Sequence, residues 1–315
     1  MLGIAFSADG IRVVAASNDA LRSFVCEWPI GAGEPSVREL DDQLTAVAFG
    51  AHGEMLSARA GDHALVLKRG PEAADQILLP PHPSWVGALG LASDAHAAFW
   101  GDENGGVGIW RFGDVRGVRM LQRRGGRVDA IAVSADGRRL ASAGHDGTVH
   151  VWDVEGSLVR TIRIGTDAVL ALALSADGTR ALTGGWEGRV GLWDVDAGDR
   201  ILDLGSHDSR VSSVALSSDG RLALSGGFDA TARLWRIRDG AELATLRGHR
   251  DAVVSVSISP DSALGATADA DGIVKVWNLA TASEIGCNER EGSMGAGGRS
   301  PFADIGRNTS VSERE

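Results

Sequence analysis

The sequence predicts an all-β fold, a seven-bladed β-propeller with four antiparallel strands per blade, and three observations carry that prediction. A tryptophan-anchored strand recurs about every 42 residues, an alternating apolar strand ending in a Ser-x-Asp-Gly turn recurs at the same interval, and each interval holds four short strands joined by tight turns. One four-stranded unit cannot bury its own apolar faces, so units of about 40–45 residues stack radially and share a core.

The tryptophan strands centre on Trp152, Trp193, Trp235 and Trp277, spaced 41, 42 and 42 apart, and Trp110 continues the series backward by 42. The upstream strands align on Ile4, Val47, Leu89, Ile131, Leu172, Val214 and Val256, with steps of 43, 42, 42, 41, 42 and 42, which makes seven copies in register. Ala135-Asp136-Gly137 and Ser218-Asp219-Gly220 supply the turn after that first strand, since Asp-Gly favours a tight reversal between antiparallel strands. A second strand such as Arg139–Ser142 follows, then the inner turn (His145-Asp146-Gly147), the tryptophan strand, and a more polar fourth strand such as Glu242–Leu246. Ala130, Ala132, Ala171 and Ala173 on the first strands suit a crowded innermost ring, whereas the tryptophans suit the wider gaps between blades.

Length alone suggests about two domains, but the repeat makes residues 1–287 one closed domain and leaves 288–315, which lack apolar periodicity, as a disordered tail. The net charge is −11, which speaks against a nucleic-acid binder, although Arg111, Arg116, Arg119, Arg123, Arg124 and Arg127 form one local basic stretch. Cys26 and Cys287 suggest neither a disulfide framework nor a metal cluster. The sequence shows no secretion signal and no apolar run long enough to span a bilayer. The expectation is a cytoplasmic protein, monomeric on its own, with no cofactor, no metal, no nucleic-acid partner and no membrane contact.

With these motifs in place the chain resembles the WD-repeat (WD40) β-propellers. The resemblance rests on Gly248-His249, on the Trp-Asp pairs at 152–153 and 193–194, and on Ser225-Gly226-Gly227-Phe228-Asp229. It is most specific from about residue 83 to 279; Leu67 replaces the tryptophan of the second copy. His207, Ser225 and Asp229, like His249, Thr267 and Asp271, have the residue types of a hydrolase triad. The resemblance implies another role. With Trp235 and Trp277 these residues form buried Asp-His-Ser/Thr-Trp networks that staple a blade, and a rigidifying network is one a scaffold reuses. The staple is incomplete elsewhere: Arg124 and Gly165 stand at the histidine position of the fourth and fifth copies, Glu187 replaces the aspartate of the fifth, and the third combines His82 with Trp100 and Asn104. Family members commonly let an N-terminal strand complete the last blade. Here Met1 begins almost at an innermost strand, so the expectation is either closure by side-chain packing alone or a start that lies further upstream.

The resemblance also places the loops entering the blades and the inner turns on one rim of the channel. The loop position holds Trp85, Arg127, Ala168, Arg210 and Ala252; the inner turns hold Glu103, His145, Trp186, Phe228 and Ala270. Aromatic residues and arginine are enriched in binding hot spots, so Trp85, Glu103, Arg127, His145, Trp186, Arg210 and Phe228 are the candidate partner-binding residues, packing onto a neighbouring blade being the other reading. The expected function is a non-catalytic scaffold that binds a peptide or protein on this rim. A sensory or regulatory module of a signalling or stress assembly is the alternative, and a metal-dependent lactonase-like hydrolase a minor one.

Overall fold

Alternation sets the first strand of each blade. In Val128–Val133 every second residue is buried, the pattern of a strand with one face against a neighbour. The second strands are buried almost throughout, as in Leu222–Gly227, because neighbouring blades cover both faces. The fourth strands, such as Leu158–Arg163, are mostly exposed. Burial is therefore greatest on the second strands and least on the outermost.

A computed structural model describes residues 2–19, 22–30, 35–40, 42–50, 53–68, 76–79, 84–92, 97–111, 117–123 and 125–288, with backbone only at 76–79, 122–123 and 287–288. His82, Arg116, Arg124 and the tail from residue 289, all singled out in the sequence, lie outside the described residues. Seven four-stranded antiparallel sheets follow one another, each made of consecutive strands: blade 1 is Gly3–Leu40, blade 2 Leu44–Leu79, blade 3 Val86–Arg123, blade 4 Val128–Arg163, blade 5 Val169–Ser206, blade 6 Val211–Leu246 and blade 7 Val253–Asn288. The first strand of each blade packs against that of the next, and blade 7 packs against blade 1, so the ring closes.

The core sits between blades. Each of the seven gaps holds an apolar cluster. Ile162 and Val149 of blade 4 meet Leu172 and Trp193 of blade 5, and Val190 and Leu204 of blade 5 meet Val214 and Trp235 of blade 6. The closing gap joins Ile4, Val13 and Trp28 to Ala268, Val274 and Val276.

Closure is more than side-chain packing. The Ile4 amide donates to Ser255 Oγ at 3.1 Å, and the Val256 amide makes the same contact with Ser213 Oγ at 3.1 Å one gap earlier. A short hydroxyl on the inner strand thus reaches a backbone donor of the next blade, which the packing-only expectation missed.

The Ser-x-Asp-Gly turns carry their own chemistry. Ser175 Oγ donates to Asp177 Oδ1 at 2.6 Å, as Ser217 does to Asp219 and Ser259 to Asp261. The serine bond and the amide and hydroxyl of Thr179 hold the Asp177 pKa down to about 2; serine bonds likewise lower Asp219 and Asp261. A carboxyl whose pKa is depressed by folding stabilises the fold above its unfolded value and loses that contribution as pH falls through the folded one. The urea midpoint is therefore expected to fall between about pH 4 and pH 2, and Ser175→Ala to flatten that slope; an unchanged slope would refute the role of these turns.

Blade 7 departs at one position. Gly137, Gly178 and Gly220 take φ of 67°, 69° and 68° after their aspartates, but Ser262 takes 63°. A side chain in the left-handed region costs about 1–2 kcal/mol, part of which glycine returns as unfolded-state entropy. Ser262→Gly is expected to stabilise the protein by about 0.5–1 kcal/mol in urea unfolding.

Candidate functional site: the rim of blades 3 to 6

One backbone hydrogen bond builds the rim. In each of five blades the amide of the inner-turn residue donates to the carbonyl of the entering-loop residue: Glu103 to Trp85, His145 to Arg127, Trp186 to Ala168, Phe228 to Arg210 and Ala270 to Ala252, at 2.9–3.1 Å. Glycine at the end of the second strand permits this approach in blade 4, where a Cβ on Gly144 would lie 2.0 Å from the Arg127 carbonyl oxygen. The two sets of positions read from the sequence are thus the two halves of one repeated clasp.

The side chains form an arc. Trp85 is 46% exposed, Trp186 54% and Phe228 39%. Arg210 lies between the last two, its guanidinium carbon 3.6 Å from the Phe228 ring centre and 4.9 Å from that of Trp186. Each such cation–π contact is worth about 0.5–1 kcal/mol at an exposed site. The stack spans the junction of blades 5 and 6 and leaves much of both rings open. At blade 4, Asp129 organises Arg127 and His145, with Arg127 Nε at 2.8 Å and His145 Nε2 at 3.3 Å. In blade 3 the Trp85 amide donates to Glu103 Oε1 at 3.2 Å, and the His63 ring of blade 2 lies 6.0 Å from Trp85. Asp129 escaped the sequence reading; its signal is a carboxylate beside the apolar first-strand residue Val128.

The triad-like residues are elsewhere, and their histidines and hydroxyls are buried. In blade 6 the Trp235 indole N–H donates to Ser225 Oγ at 2.8 Å. His207 Nε2 lies 2.8 Å from that hydroxyl, and its Nδ1 lies 3.1 Å from Asp229. A single hydroxyl proton must then go to Nε2, so His207 is neutral and carries its proton on Nδ1, toward the aspartate. Burial pushes its pKa below the ordinary value against the pull of Asp229, which agrees with that assignment. Burial tends to raise the Asp229 pKa, but hydrogen bonds from Thr231 and His207 outweigh it and hold it low. The histidine side chains of blades 6 and 7 are wholly inaccessible, so no substrate reaches them.

Blade 7 corrects one assignment. His249 Nε2 meets Thr267 Oγ1 at 2.7 Å and Trp277 Nε1 donates to the same oxygen at 2.8 Å, but Nδ1 meets Asp269 at 2.8 Å rather than Asp271. Asp269 ends the second strand, where blade 6 has Gly227. A Cβ on Gly227 would lie 2.5 Å from His207 Nδ1, so a carboxylate rooted at that position takes the histidine directly. Asp271, two residues on, stays exposed in the turn.

Blade 3 has bulk at the position where blades 6 and 7 have their hydroxyl. Trp100 is fully buried on the second strand, its Nε1 has no hydrogen-bond partner among the described residues, and Gly108 makes room for it, since a Cβ there would lie 2.1 Å from the indole. Asn104 Nδ2 donates to Ser84 Oγ at 2.7 Å. Among the described residues no group of three or more His, Cys, Asp or Glu could hold a metal ion, and no helix is long and apolar enough to cross a membrane.

Comparison with known proteins agrees with this architecture. The WD40 family (WD domain, G-beta repeat) matches residues 118–153, 156–194, 198–236 and 240–278. Each matched repeat ends on a tryptophan strand and begins at or near the outer strand of the preceding blade, so the repeat at 198–236 contains the whole His207-Ser225-Asp229-Trp235 network. The chain is 24% identical to the Protein LST8 homolog of Drosophila melanogaster over 153 residues, 46% of this chain and 47% of that protein. It is 31% identical to the Small ribosomal subunit protein RACK1y of Oryza sativa subsp. japonica over 87 residues, 27% of this chain and 26% of that protein. The matches span about half and about a quarter of those relatives. Four matched repeats within a closed ring of seven blades make this chain a member of the WD40-repeat β-propellers.

Proposed function

We propose that the protein is a non-catalytic interaction platform, and that a peptide or protein binds along the rim from Trp85 to Phe228. The observation that supports this most is the Trp186–Arg210–Phe228 stack: two large rings half in solvent, held by an arginine and backed by the same backbone clasp. Ordering costs are small where the binding surface is already rigid, and tryptophan and arginine are the residues that dominate hot spots. The hydrolase reading has no support from the buried histidines, which serve the blades. One relative's name places it in the small ribosomal subunit, which is in keeping with a role inside an assembly.

The test is affinity capture with the wild-type protein beside Trp186→Ala/Arg210→Ala/Phe228→Ala, with folding of the variant checked by circular dichroism. A partner held by the wild type and lost with the folded variant is the expected result. Equal capture would move the site off this rim.

A further inference from the structure

Blade 5 contains the blade network without its histidine. Trp193 Nε1 donates to Thr183 Oγ1 at 2.9 Å, as Trp235 and Trp277 do to their hydroxyls in blades 6 and 7. Thr183 is buried. At the histidine position stands Gly165, and a Cβ there would meet nothing within 4 Å. Where the ring should be is a cleft of about 180 Å³ lined by Gly165, Asp167, Thr183, Trp186 and Glu187 among others. A cavity of about 150 Å³ is enough for benzene, so a five-membered ring fits.

The lining matches an imidazole. Thr183 Oγ1 accepts from Trp193 and sends its proton to the Gly191 carbonyl over a long 3.3 Å, so the hydroxyl can turn to a ring nitrogen as Ser225 does to His207. Glu187 stands at the position of Asp229, and the neighbouring Asp167 carboxyl pushes the Glu187 pKa above the ordinary value. Arg189 reaches Glu187 at 3.7 Å and Asp203 at 3.3 Å, and Arg200 reaches Asp203 at 3.1 Å, so the two cations are shared among these carboxylates. A buried hydroxyl on one side and carboxyl groups on the other suit a neutral imidazole, which accepts the hydroxyl proton at one nitrogen and donates its N–H from the other. In blades 6 and 7 the chain itself fills the corresponding space with imidazole, at 2.7–3.1 Å from hydroxyl and carboxylate.

We propose that the vacant position in blade 5 is a binding slot for the imidazole of a histidine side chain presented by a protein partner. The slot opens beside Trp186, so a segment lying along the rim reaches it. The inference takes the source of the imidazole from the rim reading, but the slot stands independently of it.

The probe is imidazole, titrated into 15N-labelled protein while the indole N–H signals of Trp193, Trp235 and Trp277 and the Gly165 amide are followed. The expected result is a saturable shift at Trp193 and Gly165 in the low-millimolar range, as a ligand of five heavy atoms allows, with Trp235 and Trp277 unmoved because their slots are filled. Gly165→His is expected to abolish the titration and to raise the melting temperature by supplying the ring in place. No saturable shift, equal shifts at all three indoles, or a titration that survives in Gly165→His would overturn the proposal. Arg210→Ala/Phe228→Ala separates the two readings. It should lose the captured partner yet keep imidazole binding; loss of imidazole binding there would refute an independent slot, whereas imidazole binding without any captured partner would refute only the rim.

Discussion

Asp269→Ala destabilises the ring by about 3–5 kcal/mol, while Asp271→Ala changes stability by no more than about 0.5 kcal/mol. Asp269 is wholly buried. One of its oxygens accepts from His249 Nδ1 at 2.8 Å and the other from the Ile273 amide at 2.8 Å. Its removal orphans the buried His249 donor and the part-buried Ile273 amide, a buried donor being worth about 1–3 kcal/mol when left unsatisfied, and opens a void beside the histidine. Asp271 lies exposed in the turn. Asp269→Asn is the informative intermediate: it keeps an acceptor for the neutral histidine and is expected to cost less than alanine. Urea unfolding of the three variants decides the matter, and equal effects at 269 and 271 would show that the carboxylate of this network had been misassigned.

The rim substitutions have the other large effect, on binding rather than stability. Trp186→Ala/Arg210→Ala/Phe228→Ala is expected to weaken the captured partner at least 100-fold, about 2.7 kcal/mol or more. Stability falls by only about 1–2 kcal/mol, the order of the two cation–π interactions that the variant removes. Arg210→Lys discriminates between charge and shape. Lysine keeps the charge but cannot lie flat between two rings, so an intermediate loss of about tenfold is expected if the planar stack positions Trp186 and Phe228. Wild-type affinity in Arg210→Lys would show that charge alone matters. A stability loss larger than the binding loss in the triple variant would mean that these side chains serve packing.

Much of this molecule was legible before any coordinate. Blade number, strand order and the position of each turn follow from residues that act locally: alternation places one face of each first strand inward, Asp-Gly reverses the chain, and the spacing of the aligned first strands counts the units. The staple of blade 6 was legible too, because His207, Ser225, Asp229 and Trp235 carry the complete motif. What misled was blade 7, where Asp271 has the right spacing but Asp269 the right reach. The difference is set by a neighbouring position: glycine at 227 leaves a gap that the turn aspartate fills, and aspartate at 269 fills it itself.

The sequence by itself therefore determined the repeat and the seven blades, since period and turn chemistry are properties of short segments; the rim positions came from the resemblance to the WD-repeat propellers. Only the tertiary structure decided how those positions are joined. The clasp between turn and loop, the seating of Arg210 between rings from two blades, the Ile4–Ser255 bond that helps close the ring and the open space at Gly165 all depend on distances between segments about 20 to 250 residues apart. Spacing along a chain carries no record of such distances, because packing sets them after the blades have formed.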